Sequence, residues 1–459
     1  MNWIDLLSHK RLGCNEVAPL QIGRSPFQQD YDRIIFSLPF RKLSDKTQVF
    51  PPCVNDYVRT RLPHSLEAAS IGRSLGAGVG AFVLKNCQLE NILVSDFGAV
   101  VAAATLAHDI GNTPLGHSGE EAIRYWFANS KVAAQIKSAM SRSECEDIAR
   151  YEGNAQGFRV VSRLQMSENY GGMRLTCATL GAFAKYPCCS LAPHTFPFSK
   201  KFSFFESEKN LFSDVAKCCG LIQYDPTIYA WSRHPLAFLV EAADDIAYRI
   251  VDYEDAFVCE LITYEQLEKH FMQIIRQGAE EYVEPLRSLQ ERQHKVEYMR
   301  ARAVGVLIEQ VIGEFIKNYD AIMNGEYTLS LINSIPAAEI IGEINAVSYE
   351  KIYKNQYAAE SAAAGFEIFG GLLDVFIPVV EELAQLRNED KLTFRNRVFA
   401  QLLPNYCKKV HDKNWCNNVY LRAIGILDFI AGMTDSHAVT LYQKIKGVAL
   451  PGSTFKPHW

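Results

Sequence analysis

A histidine and an aspartate stand side by side at positions 108 and 109, in the stretch ATLAHDIGNTPLGHSGEEA, and a second histidine, His117, follows with Glu120 just beyond it. An imidazole nitrogen and a carboxylate oxygen at a helix end can converge on one divalent ion, each giving one ligand. Two ligands do not hold a divalent metal, and a His-Asp pair serves equally well as a hydrogen-bonded couple in a core. Two further residues answer the demand for partners. His64 follows Pro63 in RTRLPHSLEAASIGRS, at what reads as a helix start. Asp244 lies in HPLAFLVEAADDIAYRIVDYEDA, on a helix from Leu236 to Ile250 that is apolar almost all round, where an uncompensated carboxylate would be expensive. Asp245 beside it is the member that can face solvent.

His117 with Glu120 at i+3 makes a sensible acid/base pair, since the carboxylate orients the imidazole and favours its protonated form. A histidine flanked by glycine also suits an exposed turn with no chemical task. Ser118 and Glu121 have the spacing of a capping box, which assigns Glu121 to the start of a new helix. Asp244, Tyr248 and Asp252 recur every four residues and so share one helix face. That face is either a substrate wall or the solvated stripe of a half-buried helix.

The elements that must position these residues are helical. LEAASIGRSLG, VVAAATLAHD, AVGVLIEQVIGEFIKNY, FEIFGGLLDVFIPVVEELAQL and NVYLRAIGILDFIAGMTDSHAVTLYQKI all carry apolar residues at helical spacing, and no segment alternates over more than a few residues. The expectation is an all-α fold. Residues 99–107 are nearly all small or apolar and predict a buried helix, with Gly111 and Asn112 as its C-cap. A polar, aromatic-rich segment with prolines at 187, 193 and 197 predicts a long loop over about 185–214. The chain divides into an N-terminal segment packing on the core (1–50), a core (51–260) and a C-terminal helical region (261–459) that ends in an irregular tail, LPGSTFKPHW.

Length and composition narrow the classes. The chain has 459 residues, 48% of them hydrophobic, which is ample for a large core. Its 47 basic and 52 acidic side chains leave a net charge of −5, so nothing global attracts nucleic acid or an anionic membrane. Basic segments such as RQHKVEYMRAR and CKKVHDK are local exceptions and read first as solvated helix faces. The longest apolar stretch is taken as Phe97–Ala107, short of the roughly 20 residues that cross a bilayer. The N-terminus does not read as a signal peptide. The expectation is a cytoplasmic protein without membrane contact. Twelve cysteines sit irregularly, without zinc-ribbon spacing, and read as reduced thiols.

The order His64, His108-Asp109, Asp244 is the H…HD…D pattern of HD-domain phosphohydrolases. The flanking text is more specific. RSPFQQDYDRIIFS, RTRLPHSLE, LAHDIGNTPLGHSGEEAI, YEGNAQGFRVVSRL, MRLTCATLGAFAKYP, FFESEK, RHPLAFLVEAADDIAY and DFIAGMTD resemble, in order, the bacterial deoxyguanosine triphosphate triphosphohydrolases (dGTPases), over about residues 24–445. The resemblance implies an all-α HD-domain fold with additional C-terminal helices. It implies one divalent metal, magnesium or manganese first, with iron, nickel or zinc compatible. The reaction it implies is hydrolysis of dGTP or several deoxynucleoside triphosphates to deoxynucleoside and tripolyphosphate.

Residue by residue, His64, His108, Asp109 and Asp244 match the metal ligands, and His117 and Glu120 the catalytic pair. Arg61 and Lys209 match positions that hold phosphate oxygens, and Tyr248 and Asp252 those that read the sugar. Pro63 stands where threonine or glutamate is expected. Relatives assemble, so a homo-oligomer (hexamer or tetramer) is expected, with single-stranded DNA or nucleotides as candidate effectors. The alternatives are an HD phosphohydrolase of other nucleotides, or a metal-binding, nucleic-acid-responsive regulator without turnover.

Overall fold

A computed structural model describes residues 1–14, 16–17, 23–49, 58–278, 284–354 and 356–448. The fold is all-α, as the helical spacing predicts: among the described residues the only β-pairing is three isolated bridges. The irregular C-terminal tail expected from Leu450 onward lies outside the described residues. The chain forms two compact units, one of residues 1–44, 48–110 and 154–358, the other of 45–47, 111–153 and 359–459. The 51–260 segment expected as a core therefore contributes to both.

In the first unit the Arg61–Asn86 helix, the Val94–Ala107 helix and the Ala237–Val258 helix pack on one another. Each is apolar on most of its surface, so each must be enclosed. Gly72, Gly76 and Gly80 recur one turn apart on the first of these. A Cβ at Gly76 would stand 2.6 Å from the carbonyl oxygen of Phe97, and one at Gly80 would meet the Phe97 ring at 2.8 Å. Gly98 answers from the other side, its missing Cβ 2.9 Å from the carbonyl of Arg73. Backbone thus packs directly on backbone along the two helices that lead to His64 and His108. Asp30 braces the N-terminal residues in this unit, accepting from Arg11 (2.5 Å) and from the backbone and hydroxyl of Thr176 (2.9 and 2.6 Å).

The second unit joins segments remote in sequence. The indole N–H of Trp126 on the His117–Asn129 helix donates to Asp374 (2.7 Å), and the hydroxyl of Tyr420 donates to the buried Asp147 (2.6 Å). Arg422 forks onto Glu381 at 2.8 and 2.7 Å. Asp374 and Glu381 lie on the Gln356–Leu386 helix, which corrects one expectation. The most apolar 18-residue window of its residues Ala358–Leu386 has a mean hydropathy of 1.7, and the helix is long and apolar enough to cross a membrane, unlike the shorter Phe97–Ala107 stretch. Core helices meet the same criterion, and 56% of its most apolar window is buried.

Local boundaries differ from the sequence reading in four places. The loop predicted over 185–214 ends earlier, because a 3₁₀ turn at Glu206–Glu208 leads into the Lys209–Cys218 helix, whose Leu211, Phe212, Val215 and Ala216 are buried on one face. The Ala237–Val258 helix runs beyond Ile250, since Val251, Tyr253 and Ala256 continue its buried stripe. The Val94–Ala107 helix is capped by His108 itself in αR geometry, ahead of Gly111 and Asn112. The expected Ser118–Glu121 capping box does not form: the helix starts at His117 with Gly116 as N-cap, Ser118 already lies in its first turn, and Glu121 pairs with Arg124 (2.5 Å).

Candidate active site and metal centre

His64 lies in the first turn of its helix, with Thr60 at the N-cap and Pro63 inside that turn, where its missing N–H costs nothing. His108 and Asp109 leave the end of the Val94–Ala107 helix, and Asp244 projects from Ala237–Val258. The structure brings these four together. Ligand atoms of His64, His108 and Asp109, all buried, lie within 4.8 Å of one another. Asp244 Oδ1 is 3.3 Å from Nε2 of both histidines, and Asp109 Oδ1 is 3.3 Å from His108 Nε2.

The two carboxylates are used in the same way. Each gives one oxygen to a cationic side chain and turns the other toward the histidines. Arg61 donates to Asp109 Oδ2 (2.8 Å), and Lys185 to Asp244 Oδ2 (2.5 Å). His108 Nδ1 donates to the carbonyl of Thr105 (2.6 Å), which leaves its Nε2 lone pair facing the cluster. Electrostatics follow. Burial opposes charge on His108, Asp109 and Asp244, yet Arg61 and His108 hold Asp109 well below the usual carboxylate range, and Lys185 and His108 do the same for Asp244. Burial also lowers His108, but Asp109 and Asp244 outweigh it and its pKa is raised. Two imidazole nitrogens and two anionic oxygens converging on one point are a donor set that fits a divalent cation.

One turn along the Ala237–Val258 helix is Tyr248, and one turn further Asp252. The Tyr248 ring stacks on Tyr353, centroids 5.5 Å apart and planes 6° from parallel. Asp252 is 1% exposed, and among the described residues neither of its carboxylate oxygens has a hydrogen-bond partner. Burial, reinforced by Asp255 and Asp244 and opposed by His64, pushes it up to about 8. Asp245 is not simply solvated: Arg249 (2.5 Å) and Ser330 (3.2 Å) hold it. Among the described ion pairs Lys209 pairs with Glu206 and not with the histidine-aspartate cluster, and it lies over the Tyr229 ring, 5.4 Å from its centroid.

His117 and Glu120 belong to the second unit. His117 Nδ1 is 3.2 Å from Glu120 Oε2, and the imidazole is 74% exposed while the carboxylate is 4% exposed. Glu120 is anchored by the backbone N–H of Gly153 (3.1 Å). The preceding turn is strained: Leu115 takes φ 59° and Gly116 φ 61°, and a non-glycine residue there costs about 1–3 kcal/mol.

Sequence reasoning missed Lys185 and Tyr353. Lys185 directly follows the buried CATLGAFA run, and an invariably solvated lysine would not be expected there. Tyr353 closes a π-helical turn, Tyr349–Tyr353, and such turns recur at functional positions.

A two-histidine, two-aspartate cluster, buried at His64, His108 and Asp109, on packed helices defines the HD class, and residues 61–162 match the HD domain family. Over 98% of its length the chain is 38% identical to the whole of a deoxyguanosinetriphosphate triphosphohydrolase-like protein of Synechocystis, and 36% identical to the whole of one from Pseudomonas aeruginosa. A deoxyguanosinetriphosphate triphosphohydrolase of Klebsiella pneumoniae is 28% identical over 92% of this chain and 94% of its own. The chain belongs to the deoxyguanosinetriphosphate triphosphohydrolase family of HD-domain hydrolases.

Proposed function

We propose that the protein hydrolyses deoxynucleoside triphosphates to deoxynucleoside and tripolyphosphate with one divalent cation, magnesium or manganese, held by His64, His108, Asp109 and Asp244. The observation that carries this reading is the paired use of Asp109 and Asp244, each tied to a cation through Oδ2 and turned to the histidines through Oδ1. When bound, the cation polarises the α-phosphate and makes a water more acidic.

The remaining work falls to side chains of this chain. Arg61 and Lys209 offset charge on the triphosphate. Water attacks the α-phosphorus and the bond from that phosphorus to the 5′ oxygen breaks, with His117, oriented by Glu120, delivering a proton to the departing oxygen. Tyr248 closes against the sugar and leaves no room for a 2′ hydroxyl. Asp252, buried with both oxygens unpartnered, accepts from the 3′ hydroxyl, an interaction that would remedy its isolation.

Hydrolysis in ¹⁸O-water tests which bond breaks. The label should appear in tripolyphosphate and not in the deoxynucleoside, without free orthophosphate or pyrophosphate. Label in the nucleoside would mean attack at carbon, and release of a monophosphate with pyrophosphate would mean a leaving group on the other side of the α-phosphorus. Either result rejects the reading.

A further inference from the structure

Asp435, the last residue of DFIAGMTD, joins two segments far from it in sequence. Its Oδ1 accepts the backbone N–H of Leu115 at 2.9 Å. Its Oδ2 accepts both the N–H (2.8 Å) and the hydroxyl (2.6 Å) of Thr47. The residue is buried, so these bonds are shielded from competing water. All of the groups involved lie in the second unit.

The placement of these bonds matters because of what they hold. Leu115 is the left-handed, non-glycine residue of the turn that precedes the His117–Asn129 helix. That helix has no side-chain N-cap of its own, since Gly116 occupies the position. Thr113 closes the turn from inside, donating its hydroxyl to the carbonyl of Gly116 (2.7 Å). Thr47 is one residue from Lys46, whose buried ammonium donates to the carbonyl of Asn112 and, at 3.0 Å, to that of Ala431. The turn is thus gripped at Asn112 by Lys46 and at its strained point by Asp435. A backbone held in an unfavourable conformation persists only where its surroundings over-determine it.

We infer that Asp435 is a positioning residue for His117: through the Leu115 N–H it fixes the turn that presents the imidazole at the head of its helix. This rests on the reading of His117 as the proton donor. Asp435 touches no reacting atom, and its effect on catalysis runs only through the geometry of residues 112–117.

A double-mutant cycle in the full-length, metal-loaded protein tests it, using Asp435→Ala, Asp435→Asn, His117→Ala and the double variant Asp435→Ala/His117→Ala. Asp435→Ala should lower kcat by about 10- to 100-fold with KM and bound metal little changed, the scale expected for misplacing a catalytic group by a fraction of an ångström to an ångström. In the His117→Ala background it should cost less than twofold. Asp435→Asn keeps one carbonyl-type acceptor and should recover part of the loss. Amide hydrogen exchange should speed up in residues 110–117 of Asp435→Ala, with the other helices of the second unit still protected.

An equal loss in both backgrounds would overturn the inference, because Asp435 would then act on the fold at large. Unchanged turnover in Asp435→Ala with a strong loss in His117→Ala would also overturn it, while leaving the proton-donor reading intact. Full turnover in His117→Ala would instead reject the proton donor, and the positioning role with it.

Discussion

The histidine-aspartate cluster and the His117 turn solve opposite problems. The cluster is largely buried and sits on three packed helices, two of which touch backbone to backbone at glycines, with each carboxylate tied to a cation on one side. The His117 imidazole is 74% exposed at the head of a helix, and only its carboxylate partner is buried. A metal ligand set must be preorganised, since each ligand that has to be moved or desolvated on binding weakens the site. A proton donor must instead meet a substrate that arrives from solvent, so exposure suits it and precision has to come from the backbone beneath. Rigidity is therefore invested in side-chain pairing in the first region and in the turn in the second.

Removing a residue from each region separates the two roles. Asp109→Ala takes away a proposed ligand and leaves Arg61 buried opposite a vacated carboxylate site. It should abolish both bound metal, by elemental analysis, and turnover. His117→Ala should keep the metal and lose turnover by about 10²- to 10⁴-fold, the range for a general acid. Full metal occupancy in Asp109→Ala would remove it from the ligand set, and metal loss in His117→Ala would erase the contrast between the regions.

A smaller effect is expected from the packing beneath the cluster. Gly76→Ala would place a Cβ 2.6 Å from the carbonyl oxygen of Phe97 and 2.9 Å from the Cα of Gly98, both backbone atoms that cannot swing aside. Overpacking of this kind costs about 1–3 kcal/mol. Because His64 and His108 are carried by the two helices being forced apart, metal affinity should fall together with the thermal midpoint of the metal-free protein. A lower midpoint with unchanged metal affinity would show that the ligands are positioned locally and not by the glycine stripe.

The sequence made the first region legible and the second much less so. His64, His108, Asp109 and Asp244 stand out because ionisable residues in apolar helices are conspicuous, and the structure brings the four together. Helical spacing was equally clear, so the all-α fold was readable. The partners of the carboxylates were not, since nothing local to Lys185 signals an ion pair with a residue in another helix. The capping-box spacing of Ser118 and Glu121 pointed to the wrong helix start, because a local pattern cannot register that Leu115 and Gly116 are held from Asp435. Ala358–Leu386 was readable as a helix but not as the longer apolar element, because Glu360, Glu367 and Asp374 interrupt its text, although Asp374 is satisfied by Trp126 and Ser130 in the folded unit. Interleaving of 111–153 with 359–448 in one unit has no periodic trace at all.

The mildest change sharpens the comparison within the first unit, between carboxylates that are paired and one that is not. Asp109 and Asp244 are held below their ordinary range by cations, whereas Asp252, without a partner, is pushed up to about 8 from 3.8. An acid whose pKa rises on folding contributes stability that is fully present below its unfolded value, near 4, and is lost as pH rises through about 8. The metal-free protein should therefore lose part of its stability between about pH 4 and 8 on account of Asp252, while the paired carboxylates keep theirs through most of that window. Asp252→Asn is nearly isosteric and cannot ionise, so its thermal midpoint should match the wild type near pH 4 and exceed it increasingly up to about pH 8. The same substitution weakens the acceptor proposed for the 3′ hydroxyl, so a gain in stability should come with a higher KM for deoxynucleoside triphosphates, the trade expected where a site keeps an unsatisfied group for its ligand. Parallel pH profiles for the two proteins would mean that Asp252 finds a partner when folded, and would remove the ground for placing it against the sugar.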